Sequence, residues 1–262
     1  MAYRNLLVER DGRVALVTMN RPERRNSLSL EHLQDLLECF RSIGADEQVT
    51  VAILRANGPA FCSGHDLSEM IDREPAVYER LFALCTELME TLSSIPQPVI
   101  AQVHGTATAA GCQLVASCDL AVASTEARFA TPGVKIGLFC TTPMVALTRA
   151  VGRKKAMEML LTGEPIAAQE ALAAGLVNRV VPPAELDRAT RALALRIVAA
   201  SPSVVGLGKR AFYQQIDLPR PEAYAVAQQV MCANAVAADA QEGMSAFLQK
   251  RAPKWTGRKS GD

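Results

Sequence analysis

Two stretches of small residues decide the fold of this 262-residue chain. The first is Phe61-Cys62-Ser63-Gly64-His65-Asp66-Leu67, and the second is Gly105-Thr106-Ala107-Thr108-Ala109-Ala110-Gly111-Cys112-Gln113-Leu114. Each stretch follows an apolar run typical of a strand and precedes a pattern typical of a helix. Two such loops are able to direct two backbone N–H groups at one oxygen, which is how a protein holds an oxyanion without a charged side chain. We therefore expect an anion-stabilising site made of backbone amides.

The composition limits the kinds of partner that the chain can bind. It is 49% hydrophobic and 21% charged, which is enough apolar sequence for one substantial core. A net charge of +1 gives no broad electrostatic reason to bind nucleic acid or an anionic membrane. The long uncharged stretch 95–118 is interrupted by prolines and polar residues, so it does not predict a membrane span. We expect neither a nucleic acid nor a membrane as a partner.

The cysteines and the N-terminus bear on the compartment. Seven cysteines are scattered along the chain, with no CxxC pair and no histidine at ligand spacing: Cys39, Cys62, Cys85, Cys112, Cys118, Cys140 and Cys232. This pattern favours a reducing compartment over a disulfide framework, and it predicts no metal site. Residues 1–10 carry charges on both sides of a very short apolar run, which is the pattern of neither a signal peptide nor an evident transit peptide. We predict a cytoplasmic protein.

Strand patterns alternate with helical patterns over the first part of the chain. Strand-like runs occupy 13–19, 49–54, 99–103, 119–124 and 176–181. Ser29 is a good N-cap for a helix with an apolar stripe over 30–40, and a second helical pattern covers 77–92 before Pro96 and Pro98 stop it. From about residue 185 the pattern is helical only, with prolines dividing it into three or four helices. The sequence predicts an α/β core over 1–195 and a helical C-terminal segment over 196–262.

Several chemistries are excluded by missing motifs. No G-x-G-x-x-G follows a strand and no G-x-x-x-x-G-K-[ST] occurs, so the usual phosphate cradles of nicotinamide and nucleotide sites are missing. Gly206-Leu207-Gly208-Lys209-Arg210 is a weak echo of such a cradle, and we interpret it as accidental. With three histidines and no G-x-S-x-G, the chain does not predict a Ser-His-Asp triad.

A family resemblance rests on motifs spread over nearly the whole chain. The two loops fit its F-[SA]-A-G-x-D and G-x-x-x-G-G-G-x-E-L patterns. Further matches are Asn20-Arg21-Pro22, Phe129-Ala130-Thr131-Pro132, Leu161-Thr162-Gly163, Ala168-Gln169-Glu170-Ala171 and Gly175-Leu176-Val177. In this order and spacing they resemble the enoyl-CoA hydratase/isomerase (crotonase) superfamily, and within it the subgroup of enoyl-CoA hydratase domain-containing protein 3. The resemblance implies an α/β fold with a crotonase-like ββα spiral core and a helical C-terminal trimerisation segment.

The resemblance also implies a ligand and the residues that hold it. The ligand is an acyl-CoA or enoyl-CoA thioester, so coenzyme A enters as part of the substrate and no cofactor is bound permanently. The backbone N–H groups of His65 and Ala110 would form the oxyanion hole. The other implied substrate-binding residues are Ser63, Gly64, Asp66, Leu67 and Gly111 of the loops, Arg24 and Arg25 towards the CoA phosphates, and Phe247 and Lys250 towards the CoA of a neighbouring subunit. That last contribution implies a homotrimer or a dimer of trimers.

The acid/base residues depart from the family pattern. Hydratases of this kind use two glutamates, and here Gln113 and Gly133 stand at those positions. Glutamine cannot exchange a proton near neutral pH, and glycine has no side chain. We expect an enoyl-CoA hydratase-like lyase or isomerase of fatty acid metabolism whose hydration chemistry is weak or altered. The alternative is a non-catalytic CoA-thioester-binding protein with a regulatory or scaffold role.

Other residues near the loops have two interpretations each. The imidazole of His65 either replaces the missing base or points away from the ligand. Cys112 and Cys140 are interpreted as packing groups, since no cation lies near them in sequence to activate a thiolate. Asp66 is expected to order its loop as a cap. RNA binding is disfavoured because the helix over 30–41 is acidic and has no row of lysines.

Overall fold

The computed structural model describes residues 3–257, which form ten strands and ten α-helices. The strands are β1 (Leu6–Asp11), β2 (Val14–Met19), β3 (Val51–Ala56), β4 (Ala60–Cys62), β5 (Val99–Val103), β6 (Thr106–Thr108), β7 (Leu120–Ser124), β8 (Arg128–Ala130), β9 (Ile166–Ala167) and β10 (Arg179–Val181). The helices are α1 (Leu30–Ala45), α2 (Pro75–Ser94), α3 (Ala110–Ser117), α4 (Thr141–Ala150), α5 (Arg153–Thr162), α6 (Ala168–Ala174), α7 (Leu186–Val198), α8 (Pro202–Gln215), α9 (Arg220–Ala235) and α10 (Ala238–Leu248). The final part of the predicted helical segment, 258–262, lies outside the described residues.

The larger sheet has six strands in the order β1-β2-β3-β5-β7-β10. The hairpin of β1 and β2 is antiparallel, and every later pairing in this sheet is parallel. Strand β2 is buried on both faces. Val14 and Leu16 pack with α7, whereas Ala15 and Val17 belong to the main core with α1 and α2. A strand buried on both faces has a continuous apolar run, as the segment 14–19 shows.

Helix α1 begins where its cap predicts. The Ser29 hydroxyl accepts a hydrogen bond from the His32 backbone N–H at 3.2 Å, which satisfies one of the free donors of the first turn. The predicted stripe is buried: Leu33, Leu36 and Phe40 have at most a trace of exposed surface. Helix α2 packs beside α1 and ends before Pro96, so both predicted helices are confirmed.

The smaller sheet positions the two loops. Its order is β4-β6-β8-β9, and β4, β6 and β8 run parallel. These strands have three residues each, which is too short for a period-two pattern, and the sequence did not predict them. The predicted strand over 176–181 is wrong in its first half. Leu176 and Val177 follow the left-handed Gly175 that ends α6, and only Arg179–Val181 pairs, with β7.

The C-terminal helices are fixed to the core by a buried lysine. Lys209 on α8 is 8% exposed, and its Nζ lies 2.7 Å from Asp119 Oδ2 and 2.6 Å from the Leu92 carbonyl oxygen. The Gly206 to Arg210 motif is therefore a packing feature of α8. Helix α7 spans residue 195, and the division of the chain at that residue stays a prediction. No single helix in 3–257 is long and apolar enough to cross a membrane, although one bent pair, Pro183–Val198 with Pro202–Gln215, passes by length and composition.

Candidate functional site

The two loops meet because the strands before them are neighbours. Strand β4 leads into the first loop and β6 into the second, and Cys62 pairs with Ala107 in parallel register. The carboxyl ends of parallel strands lie at the same edge of a sheet. Consequently the segments that follow the two strands come into contact there.

The contact between the loops is close. A methyl group added at Gly64 would lie 3.4 Å from the backbone nitrogen of Ala110 and 2.9 Å from the Ala109 methyl. One added at Gly111 would lie 2.3 Å from the Cys62 carbonyl oxygen, so a side chain there would force the loops apart. Gly64 also has a φ of 90°, which L-residues with side chains rarely adopt. Small residues are needed here for both reasons.

The first loop exposes the N–H of His65 on one side. An isolated parallel bridge joins Leu28 to His65, with the Leu28 N–H donating to the Gly64 carbonyl at 2.7 Å and the Asp66 N–H donating to the Leu28 carbonyl at 3.2 Å. Successive amides of an extended segment point in opposite directions. The His65 N–H therefore faces away from Leu28, and within residues 3–257 it has no acceptor.

The second loop turns sharply at Ala109. This residue has φ 50° and ψ −119°, and its N–H donates to the Ala130 carbonyl at 2.9 Å. Ala110 then begins α3, where the first amides of a helix have no partner inside the helix. The Ala110 N–H has no acceptor among the described residues. Two unpaired amides thus belong to loops in contact, and the helix dipole of α3 adds a partial positive charge on that side.

Gln113 lies one turn after Ala110 on α3. It is 5% exposed, and its Oε1 lies 4.0 Å from the Cys85 thiol, a weak contact. It also lines a cavity of about 730 Å³ between α2, α3, α4 and α8. Val145, Phe212 and Ile216 supply apolar walls of this cavity. The side chain at this position therefore has no acid/base capacity near neutral pH.

Gly133 has no room for a side chain. A Cβ at this position would lie 1.9 Å from the Leu138 carbonyl oxygen and 2.8 Å from Cys140 Sγ. The turn over 133–138 folds back on itself, with the Leu138 N–H donating to the Gly133 carbonyl at 2.9 Å. Backbone atoms fill the space that a glutamate side chain would need at this position. The sequence could not reveal this crowding, because it depends on how the turn folds.

Both carboxylates near the first loop are already engaged. Asp66 accepts hydrogen bonds from Ser68 and from Arg21, whose Nη1 lies 2.9 Å from it. Burial raises the pKa of Asp66, but the hydrogen bonds from Ser68 and Arg21 outweigh it and lower the pKa overall. Glu69 accepts from the Leu30 N–H at 2.9 Å and so caps α1. Sequence reasoning missed the role of Arg21, although its Asn-Arg-Pro motif was visible.

The thiols near the loops are protonated packing groups. Burial raises the pKa of Cys112 to about 12 and also raises that of Cys140. A thiol of this kind is a poor nucleophile at neutral pH. Their geometry agrees with the packing interpretation from the sequence.

The cationic candidates lie in two places. Arg24 and Arg25 are exposed in the turn after β2, and none of the ion pairs in residues 3–257 includes them. That turn touches the first loop, since the Ser63 N–H donates to the Arg25 carbonyl at 3.1 Å. Leu67, also exposed, follows Asp66 at the other end of the loop. Phe247 is 82% exposed at the end of α10, with Lys250 exposed just beyond it.

Comparison with known proteins identifies the family. Residues 9–258 match the enoyl-CoA hydratase/isomerase family, and this chain belongs to it. Within the family it is similar to enoyl-CoA hydratase domain-containing protein 3: the Mus musculus protein is 49% identical over 249 residues, which are 95% of this chain and 83% of that protein. The resemblance stated from the sequence is confirmed.

Solved structures agree in fold. The crystal structure of human enoyl-CoA hydratase domain-containing protein 3 superposes with a TM-score of 0.94 at 47% identity, covering 96% of this chain and all of that one. An enoyl-CoA hydratase from Mycobacterium smegmatis has a TM-score of 0.94 at 51% identity, covering 96% and 98% of the two chains. The predicted crotonase-like α/β fold is confirmed.

The predicted cytoplasmic location is wrong on the same comparisons. The mouse, rat and human relatives are named as mitochondrial proteins. The prediction rested on cysteine usage, which indicates redox state and does not distinguish the cytosol from other reducing compartments.

Proposed function

We propose that this protein binds acyl-CoA or enoyl-CoA thioesters and polarises the thioester carbonyl with the N–H groups of His65 and Ala110. The observation that carries the proposal is a pair of amides, in loops that touch, that have no acceptor within residues 3–257. Fixed donors cost little reorganisation when charge develops on the oxygen, and one such donor is worth roughly 3 kcal/mol in known enzymes. Coenzyme A enters with the substrate.

The rest of the thioester has neighbouring surfaces available. We assign the acyl group to the cavity of about 730 Å³ that Gln113 lines. Within residues 3–257 Arg24 and Arg25 take part in no ion pair, and their turn touches the first loop, so they suit the CoA phosphates. Phe247 and Lys250 are exposed, as residues that serve the site of another subunit would be. A homotrimer or a dimer of trimers is the assembly we propose.

Hydration by a glutamate pair is disfavoured. Gln113 cannot transfer a proton, and Gly133 cannot be replaced by a larger residue without moving the Leu138 backbone. Each positioned acid/base group contributes about 100- to 10,000-fold. We therefore propose chemistry on acyl-CoA other than brisk hydration. The filled site at Gly133 also favours a second candidate, a CoA-thioester-binding protein without catalysis.

Binding and turnover measured on one preparation test the proposal. Calorimetry with butyryl-CoA should show binding, whereas crotonyl-CoA hydration should be at least about 100-fold slower than that of a two-glutamate hydratase. Brisk hydration would contradict the proposed chemistry. Absence of acyl-CoA binding would contradict both candidate functions.

A single substitution tests whether the missing carboxylate limits the rate. Gln113→Glu restores one of the two groups at a position where a side chain already fits, and it should raise crotonyl-CoA hydration by about 100-fold. Gln113→Leu is the matched control and should leave hydration at its low level. An unchanged rate in folded Gln113→Glu would favour the non-catalytic candidate.

A further inference from the structure

We propose that the imidazole of His65 moves a proton to and from the acyl carbon next to the thioester carbonyl, while the backbone N–H of the same residue holds the carbonyl oxygen. This inference rests on the proposed function. It adds an acid/base group to a site in which both glutamate positions are empty of carboxylates.

The first argument is that the imidazole forms no hydrogen bond of good geometry within residues 3–257, although the Leu28 backbone is near enough to raise its pKa. Its Nδ1 and Nε2 are both buried, and within residues 3–257 neither has a hydrogen-bond partner. The ring lies edge-on to Phe82 of α2, with centroids 5.5 Å apart and planes at 82°. Burying two polar atoms without partners costs free energy, and a ligand group that contacts one of them recovers part of that cost.

The second argument is position. A side chain leaves the Cα atom that also carries the amide nitrogen, so the imidazole of His65 is attached next to the proposed donor of the oxyanion hole. The residue as a whole is partly exposed, although its ring nitrogens are not.

The third argument is elimination. Asp66 and Glu69 are committed to Arg21 and to the cap of α1. His32 is fully buried with its Nδ1 at 3.1 Å from the Ser27 carbonyl oxygen, and His104 Nε2 lies 2.9 Å from the Gly58 carbonyl oxygen. Of the histidines, His65 alone combines a place in the first loop with two unpaired ring nitrogens.

The chemistry is a reversible proton transfer that balances without any other reactant. The C–H bond at the α-carbon breaks, its proton goes to a ring nitrogen, and the electron pair forms the C=C bond of an enolate whose charge lies on the held oxygen. Return of the proton to the α-carbon regenerates the thioester. Burial lowers the pKa of His65 by more than the Leu28 backbone raises it, to about 4, so the ring is neutral near pH 7 and one ring nitrogen carries a lone pair. The enolate beside it stabilises the imidazolium as an ion pair.

Isotope exchange tests this directly. Butyryl-CoA, which has no double bond to hydrate, is incubated with the full-length protein in D₂O, and deuterium at the α-carbon is measured by mass spectrometry. The wild type should incorporate deuterium, because the proton taken up by the ring exchanges with D₂O before a deuteron returns to the α-carbon. His65→Phe keeps the backbone N–H and an aromatic ring against Phe82, so it should bind butyryl-CoA within a few-fold of wild type and exchange at least about 100-fold more slowly.

Two further variants make the result unambiguous. His104→Gln is the matched histidine control and should exchange at the wild-type rate. His65→Gln provides a second loss-of-base variant if the phenylalanine variant does not fold. Wild-type exchange in either folded His65 variant, or acyl-CoA binding by the wild type with no exchange, would overturn the role of the imidazole and leave the proposed binding function in place. Absence of binding would overturn the proposed function itself.

Discussion

Ala109 carries backbone strain at the point where the second loop becomes a helix. Its φ of 50° and ψ of −119° belong to a region that only glycine occupies freely. In the family pattern G-x-x-x-G-G-G-x-E-L, aligned on Gly105 to Leu114, this position is a glycine. A non-glycine residue in such a region costs about 1–3 kcal/mol. This strain is held by the Ala130 hydrogen bond and by the contact with the first loop.

Ala109→Gly should therefore stabilise the protein. The release of strain exceeds the entropy that glycine adds to the unfolded chain, and we expect the free energy of unfolding to rise by about 1 kcal/mol. Urea unfolding at fixed protein concentration measures it. Ala110→Gly is the matched control, since Ala110 is helical and the same change there should cost roughly 0.5–1 kcal/mol. If both variants lost the same free energy of unfolding, the assignment of strain to Ala109 would be contradicted.

Single residues were predictable where the signal is local. Ser29 was predicted as a cap and is one, and Asp66 caps the short turn that follows it through its contact with the Ser68 N–H. Glu69 was not predicted as the partner of Leu30, because that contact joins positions 39 apart in sequence. The crowding at Gly133 was equally hidden, since it depends on how the turn to Leu138 folds back.

At the scale of elements, Asp239 ties the last helices together. It is 1% exposed at the start of α10, and its carboxylate accepts from the Ser201 hydroxyl at 2.6 Å and from the Thr256 N–H at 2.8 Å. Ser201 caps α8, so one carboxylate joins α8, α10 and the segment that follows α10. Burial raises the pKa of Asp239, but the hydrogen bonds from Ser201 and Thr256 outweigh it and bring the pKa to about 2.

Asp239→Asn should lower the free energy of unfolding by about 2 kcal/mol at pH 7, the worth of hydrogen bonds to a buried charge. A carboxylate with a lowered folded-state pKa stabilises the fold above its unfolded pKa of about 4 and loses that effect as pH falls towards 2. The difference between wild type and variant should therefore shrink from pH 5 to pH 3 in urea titrations. Asp217→Asn, at an exposed pair with Arg149, is the control and should change stability by less than about 0.5 kcal/mol. If the difference in free energy of unfolding between wild type and Asp239→Asn did not change with pH, the stabilising role of the Asp239 carboxylate would be contradicted.

The sequence predicted the longer helices and strands and missed the shortest strands. The helices α1 and α2 and the strands β2, β3, β5 and β7 have enough residues for a period to show, and the sequence located them. The strands of the smaller sheet have two or three residues and left no such pattern. This matters for the site, because β4 and β6 are the elements that bring the two loops together.

At the scale of the whole molecule, the motifs in their order were enough to predict the family and the fold, and both are confirmed. The compartment was predicted wrongly, since neither the cysteine pattern nor residues 1–10 distinguish the cytosol from other reducing compartments. The division of the chain into two segments at residue 195 remains a prediction, and α7 spans that residue. The homotrimer or dimer of trimers also remains a prediction, because the surface of one chain does not determine the oligomeric state. What the structure adds is local: the two loops are in contact, two of their amides have no acceptor in the described part of the chain, and backbone atoms fill the space of a glutamate at Gly133.

The central claim is that two backbone amides hold and polarise a thioester carbonyl, and vibrational spectroscopy tests it most directly. Butyryl-CoA labelled with ¹³C at the thioester carbonyl is bound to the protein, and the C=O stretching frequency is compared with that in water by isotope-edited infrared difference spectra. Two fixed donors in a site shielded from water should lower the frequency below its value in water. A bound thioester whose carbonyl frequency equals or exceeds the value in water would contradict the account.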